Sequence, residues 1–177
     1  AERVDADLDV PGFDRASMDG YAVRARDTFD AGEASPVELD RVGTVHAGVE
    51  PDVTVESGPC AEISTGAVMP PGADAVVMVE RTDLVDGDDD RVAVRTAVAP
   101  GDSVMLAGAD VAAGDRALGP GTLLTPREIG LLSAVGVDEV PVHGKPTVGI
   151  VSTGDELVRP GGDLHSERGQ IYDVNSY

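Results

Sequence analysis

Tryptophan is absent from this 177-residue chain, and only two phenylalanines and three tyrosines are present. Aromatic packing therefore cannot dominate the interior, and the core has to be built from Val, Leu, Ala, Ile and Met. A single cysteine, Cys60, excludes an internal disulfide and fits a reducing, cytoplasmic setting. Long apolar runs are missing too. Ala75 to Val79 is among the longest, far short of the roughly 20 residues a membrane-spanning helix needs, and no charged-then-apolar leader opens the sequence. Positive charge is scarce: Lys145 is the only lysine, and 13 basic residues face 33 acidic ones for a formal charge of −20. Such a surface repels nucleic acid and anionic membranes, both of which need dense cationic contacts.

Two readings of the acidity compete. One is a cation-rich partner. The other is a high-salt interior, where carboxylates keep the surface hydrated and salt screens their mutual repulsion. The spread of acids along the whole chain favours the second. Several common catalytic patterns are also missing. His46, His143 and His165 have no metal-ligand spacing, Ser64 and Ser152 lack a nucleophile-elbow context, and neither a P-loop nor a Gly-x-Gly-x-x-Gly fingerprint occurs.

What is present is a succession of short β-branched runs punctuated by 22 glycines and 12 prolines. Val53–Val55, Ala75–Val79 and Arg91–Val98 read as strands, and Asp86-Gly87 between the last two reads as a tight hairpin turn. The Gly-rich segment from Pro100 to Leu124 predicts short strands joined by tight turns. Thr125-Pro126-Arg127-Glu128 then gives a helix start with an N-cap, a proline in the first turn and a capping-box glutamate. Ile129, Leu132 and Val135 follow as its apolar positions, and Gly136 ends it. Further strands are expected over about 137–142 and 147–151. The fold class is mainly β: a β-rich module over 1–114, a helix-containing connector over 115–145, and the first strand and loop of an α/β domain over 146–177.

Two stretches carry the polar chemistry. In Asp9 to Asp27, DVPGFDRASMDGYAVRARD, Asp19 lies between Met18 and Gly20 ahead of Tyr21, Ala22 and Val23. A carboxylate buried among such neighbours would have to be hydrogen-bonded, paired or bound to a cation, and Gly20 reads as a backbone position other residues resist. In the second stretch an apolar run ends in Ser152-Thr153-Gly154-Asp155-Glu156, the kind of loop that presents ligand-binding groups at the carboxyl edge of an open α/β sheet, or a simple turn with Asp155 capping a helix.

Four blocks taken together, PGFDRASMDGYAVRARD, STGAVMPPGADAVVMVE, GIVSTGDELVRPGG and GQIYDVNSY, resemble the molybdopterin molybdenumtransferases, the MoeA and gephyrin E-domain family, and stand in that family's order. The resemblance implies insertion of molybdate into adenylylated molybdopterin with release of AMP. By position it implies catalytic roles for Asp19, Thr65, Asp110 and Glu156, with Ala109 standing where a Glu is usual beside the aspartate. It implies a ligand loop of Ser152, Thr153, Gly154 and Asp155, with Asp155 and Glu156 as Mg²⁺ ligands. It also implies a homodimer whose site joins the β-rich module of one subunit to the α/β domain of the other, and a molybdopterin adenylyltransferase as upstream partner. The groups that hold the oxyanion are expected beyond Tyr177, leaving this stretch inactive alone. Two alternatives stay open: a non-catalytic dimerisation or scaffold module of the same fold, and an insertase that prefers tungstate.

Overall fold

A computed structural model of the chain describes residues 2–85 and 88–175, the side chains of Asp88 and Asp89 excepted. The strands run in chain order β1 (Val4–Asp5), β2 (Arg15–Ala16), β3 (Gly20–Val23), β4 (Val37–Val45), β5 (Pro59–Ile63), β6 (Ala75–Met78), β7 (Thr82–Val85), β8 (Asp88–Val94), β9 (Val104–Met105) and β10 (Arg116–Leu118). Helix α1 (Pro126–Ala134) follows, then β11 (Leu157–Val158) and β12 (Ile171–Tyr172). The chain divides into two compact units, Ala1–Pro141 and Val142–Tyr177. The mainly β class expected from the sequence holds.

The first unit is organised by a six-stranded sheet in the order β6-β3-β5-β4-β8-β7, antiparallel except for the parallel pair β4 and β5. Strand β3 is buried along its whole length because the sheet is covered on both sides. Tyr21, Val23, Cys60, Ala75 and Val77 project into one apolar cluster, and Ala22, Ala61, Ile63 and Val76 into the other. Side chains alternate across a strand, so a strand with two buried faces reads as a continuous apolar run. That is why Ala75–Met78 and Gly20–Val23 show no polar alternation. The strand that pairs with β8 on the near side of Asp86-Gly87 is β7, which the sequence did not single out, and not Ala75–Met78, which lies at the opposite edge of the sheet; the Asp86-Gly87 turn itself lies outside the described residues.

A second, narrower assembly runs alongside in sequence. Arg15 and Ala16 pair with Met105 and Val104, Val10 bridges to Val111, and Val4 and Asp5 pair with Leu118 and Arg116. The two arms of the chain thus form an antiparallel stem. Its turns are held by carboxylates: Asp14 accepts the Ala107 amide hydrogen at 2.8 Å and Asp9 that of Ala113 at 2.8 Å. Short aspartates of this kind satisfy backbone donors that no ladder reaches.

Helix α1 begins as its sequence dictates. The Glu128 carboxylate accepts the Thr125 amide hydrogen at 3.1 Å and the Thr125 hydroxyl, and Arg127 donates to its other oxygen at 2.7 and 2.9 Å. These bonds, led by the one from the Thr125 hydroxyl, pull Glu128 down to about 2 from its ordinary value. Gly136, with φ at +77°, ends the helix in the left-handed conformation that glycine tolerates. Leu132 and Val135 are buried, but Ile129 is 55% exposed. Each three-residue step lags the helical turn by about 60°, so Ile129 and Val135 cannot share one narrow face.

Three expected strands do not form. Val53–Val55 has a single backbone bond, from the Val55 amide to Pro71, and no ladder. Residues 137–142 and 147–151 take part in no ladder among the described residues, and Val148, Ile150 and Val151 are 60–85% exposed. An apolar run becomes a strand only when a neighbour takes its backbone hydrogen bonds. In the second unit the pair that does form is parallel, Leu157 with Ile171 and Val158 with Tyr172.

Candidate functional site

Asp19 is the last residue before β3, and Ser64 and Thr65 are the first after β5. The antiparallel register that sets Gly20 opposite Ile63 brings these two ends together. The Asp19 Oδ1 atom accepts the Thr65 amide hydrogen at 2.7 Å and the Thr65 hydroxyl at 2.9 Å. The two bonds, the backbone one foremost, hold the Asp19 carboxyl below its ordinary value and so keep it ionised. Contrary to the sequence-based expectation, this carboxylate is not buried: Asp19 is exposed and Met18 is 50% exposed. The apolar neighbours Tyr21, Ala22 and Val23 belong to the strand, and Asp19 sits just outside it.

Gly20 corrects a second expectation. What forbids a side chain there is space: a Cβ would lie 2.0 Å from the Val77 carbonyl oxygen on β6. Asp19, Gly20, Tyr21, Glu62, Ser64 and Val79 border a pocket of about 260 Å³. Tyr21 stands opposite Glu62 in the ladder, and burial followed by the Glu62 charge pushes its phenol above its usual range. Glu62 is itself tied down, accepting from Arg41 at 3.0 Å and Thr44 at 3.2 Å, while Arg41 also reaches Asp90 at 3.3 Å.

Asp110 is exposed on a turn of the stem, its amide bonded to the Val10 carbonyl at 2.9 Å. Among the described residues no hydrogen bond or ion pair joins it to Asp19 or Thr65.

The second unit carries the other motif. The Leu157 amide donates to the Gly154 carbonyl at 3.2 Å, making a turn on which Thr153, Gly154, Asp155 and Glu156 are all exposed. The Glu156 carboxylate folds over Gly154, so that a Cβ on Gly154 would meet its oxygens at 2.5 and 2.6 Å. Ser152 is half-buried and donates to Asp173 Oδ1 at 2.8 Å; the Asn175 amide donates to the same oxygen at 2.9 Å. A pocket of about 500 Å³ is bordered by Ser152, Gly154, Leu157, Arg159 and Asp173, among others.

Arg159 and Asp173 were not singled out from the sequence. Both sit inside the motif blocks, in DELVRPGG and IYDVNSY, but a lone charge in a Gly-rich loop gives no signal until the turn brings it to a pocket wall. Arg159 also supplies, within this chain, one of the cations an anionic ligand needs. Among the described residues no three His, Cys, Asp or Glu side chains gather at metal-binding distance. Asp155 and Glu156 are neighbouring exposed carboxylates, and Mg²⁺ takes one or two such ligands and keeps waters or ligand oxygens at its other positions. No helix among the described residues is long and apolar enough to cross a membrane.

Comparison with known proteins adds a family. The chain is 43% identical over 171 residues to a protein from Mycobacterium tuberculosis named molybdopterin molybdenumtransferase 2, covering 97% of this chain and 41% of that one. It is 42% identical over 177 residues to the molybdopterin molybdenumtransferase of a Nostoc species, covering 39% of it. Among solved structures, one molybdopterin biosynthesis MoeA protein from Pyrococcus horikoshii superposes with a TM-score of 0.90 at 40% identity, covering 99% of this chain and 46% of that one. A second, from the same source, gives 0.82 at 46% identity and 44% coverage. The chain therefore spans about two fifths of the length of its relatives. Residues 1–136 match the family described as MoeA N-terminal region (domain I and II), and the chain belongs to that family.

Proposed function

We propose that this chain is part of a molybdopterin molybdenumtransferase acting in molybdenum cofactor biosynthesis, where the complete protein inserts molybdate into adenylylated molybdopterin and releases AMP. The observation that supports it most directly is the ionised Asp19 carboxylate fixed by two Thr65 donors beside a pocket. Cleaving a phosphoanhydride builds negative charge on oxygen, and carboxylates answer it by holding a divalent cation or orienting water. With Oδ1 committed to Thr65, Oδ2 is the Asp19 oxygen oriented for that task. Asp155 and Glu156 would hold Mg²⁺, and Ser152, Thr153 and Gly154 would line the ligand's path.

In this reading the working unit is a cytoplasmic homodimer in which Asp19, Thr65 and Asp110 of one subunit serve Glu156 of the other. A molybdopterin adenylyltransferase supplies the substrate. The test is molybdate-dependent AMP release by the full-length protein with Mg²⁺. Asp19→Asn should lower turnover by about a hundredfold, the scale of a positioned proton-transfer or water-orienting group, and Thr65→Ala by less, both without unfolding. Wild-type turnover in both variants overturns the assignment of these residues. No release by well-folded wild-type dimers points to a scaffold module instead.

A further inference from the structure

The Asp19 pocket holds a polar group that no contact within the fold accounts for. Tyr21 is 7% exposed and belongs to the apolar cluster of Val23, Leu39, Cys60 and Val77. A tyrosine buried to this extent usually hydrogen-bonds its hydroxyl. Among the described residues this one has no hydrogen-bond partner, and its oxygen is not sealed from solvent. The space that Tyr21 borders is the pocket of about 260 Å³. Its hydrogen stays in place, because burial, followed by the Glu62 charge, holds the phenol above its usual range. Glu62 is its ladder partner on β5 and so shares its face of the sheet. The Glu62 Oε2 atom takes both Arg41, at 3.0 Å, and Thr44, at 3.2 Å, which fixes the carboxylate beside the phenol, while Oε1 carries no bond among the described residues.

We infer that Tyr21 and Glu62 are specificity-determining residues that read a neutral heterocyclic edge of the ligand, the Tyr21 hydroxyl donating to a ring acceptor and Glu62 Oε1 accepting from an N–H beside it. A neutral phenol has a hydrogen to give and a carboxylate can only accept, so the two together complement an edge that sets an acceptor next to a donor. Asp19 borders the same pocket, and an anionic group facing Tyr21 and Glu62 would meet two carboxylates, whereas a neutral edge would not be repelled. The inference rests on the proposed function and adds to it: Asp19 Oδ2 keeps the task given to it above, and the neighbouring pair grips a ring of the same substrate. Adenylylated molybdopterin carries two rings with such an edge, the adenine and the pterin.

The experiment uses the full-length protein with Mg²⁺ and two probes, AMP for the adenine and molybdopterin for the pterin, titrated by calorimetry, with turnover measured on the same preparations. Tyr21→Phe removes a hydroxyl that has no partner in the fold, so Tm should stay within about 2 °C of wild type. Affinity for one probe should fall about tenfold, the loss of one well-placed hydrogen bond, and for the other by less than about twofold, which names the ring. kcat/KM for AMP release should fall with the affinity. Glu62→Ala should weaken the same probe by a similar factor. Unchanged affinity for both probes and unchanged kcat/KM in Tyr21→Phe overturn the inference, and so does an equal loss for both probes or a Glu62→Ala variant that weakens only the other one. A Tyr21→Phe protein with a clearly lower Tm overturns it as well, because the hydroxyl would then serve the fold. AMP release separates the two ideas: release by wild type with Tyr21→Phe unchanged removes only the role of the pair, whereas no release by wild type removes the functional reading.

Discussion

Replacing Gly20 by alanine tests how the Asp19 site is supported. The added Cβ would sit 2.0 Å from the Val77 carbonyl oxygen, 2.9 Å from its carbon and 3.0 Å from the Met78 Cα, all backbone atoms of the neighbouring strand. Non-bonded carbon and oxygen settle at about 3.3 Å, so relief asks β3 and β6 to part by the difference of about 1.3 Å from the 2.0 Å contact. A ladder hydrogen bond of ordinary length does not survive that separation. Overpacking of this kind costs about 1–3 kcal/mol, and each ladder bond lost adds about 1 kcal/mol. With both faces of β3 packed, no direction of escape is open, and a total of about 3–4 kcal/mol is expected. For a protein of this size that lowers Tm by about 10 °C. Thermal unfolding followed by circular dichroism reads it directly. Gly32→Ala is the control, since nothing lies within 4 Å of a Cβ there, and it should shift Tm by about 2 °C or less. A Gly20→Ala protein that melts within about 2 °C of wild type would refute the close-approach argument.

Two further outcomes follow from charge. Glu128 is held at about 2 in the folded chain against an ordinary 4.5, so its bonds to Thr125 and Arg127 stabilise the start of α1 above pH 4.5 and are lost as pH falls from there towards 2. Glu128→Gln should flatten that part of the stability–pH curve, and an unchanged acid limb in urea titrations would contradict the role given to this carboxylate. The second concerns salt. Arg3, Arg26, Arg41, Arg81, Arg91, Arg95 and Arg127 already pair with acids, yet an excess of 20 negative charges remains. Screening that repulsion outweighs screening the exposed pairs, each worth less than about 1 kcal/mol, so Tm should rise with added KCl. A salt-independent Tm would remove the high-salt reading of the composition.

How much of this was legible in the sequence depended on how local the determining interaction was. The start of α1 is encoded within four residues, Thr125 to Glu128, and could be read as it stands. Ala75–Met78 was legible because a doubly covered strand leaves an unbroken apolar run. Val53–Val55 and residues 147–151 have the same composition but no partner along their backbones, and a single sequence does not carry the identity of a partner. The burial expected of Asp19 failed for a related reason: its apolar neighbours follow it along the chain, whereas its exposure is set by where β3 begins. The link between Asp19 and Thr65 spans 46 positions and was reached through family resemblance, not through any pattern in the residues. Asp173 was missed because its contact with Ser152 exists only once β11 and β12 have paired.

The stem formed by the two arms of the first unit has a consequence for how the chain reaches its fold. Ser17 and Ser103 are joined by a backbone hydrogen bond of 2.9 Å, so the whole six-stranded sheet hangs from one point, entering and leaving side by side. Ahead of that point the stem zips outward from Arg15–Met105 through Val10–Val111 to Val4–Leu118. Each of these rungs is inaccessible until residues far downstream have been synthesised, and closing it on an unfolded loop of such length carries a large entropic cost. Once the sheet has condensed, that loop is already short-circuited, and the rungs close as if they belonged to a hairpin. The residues of the first arm are therefore made well before their partners and are among the last to pair.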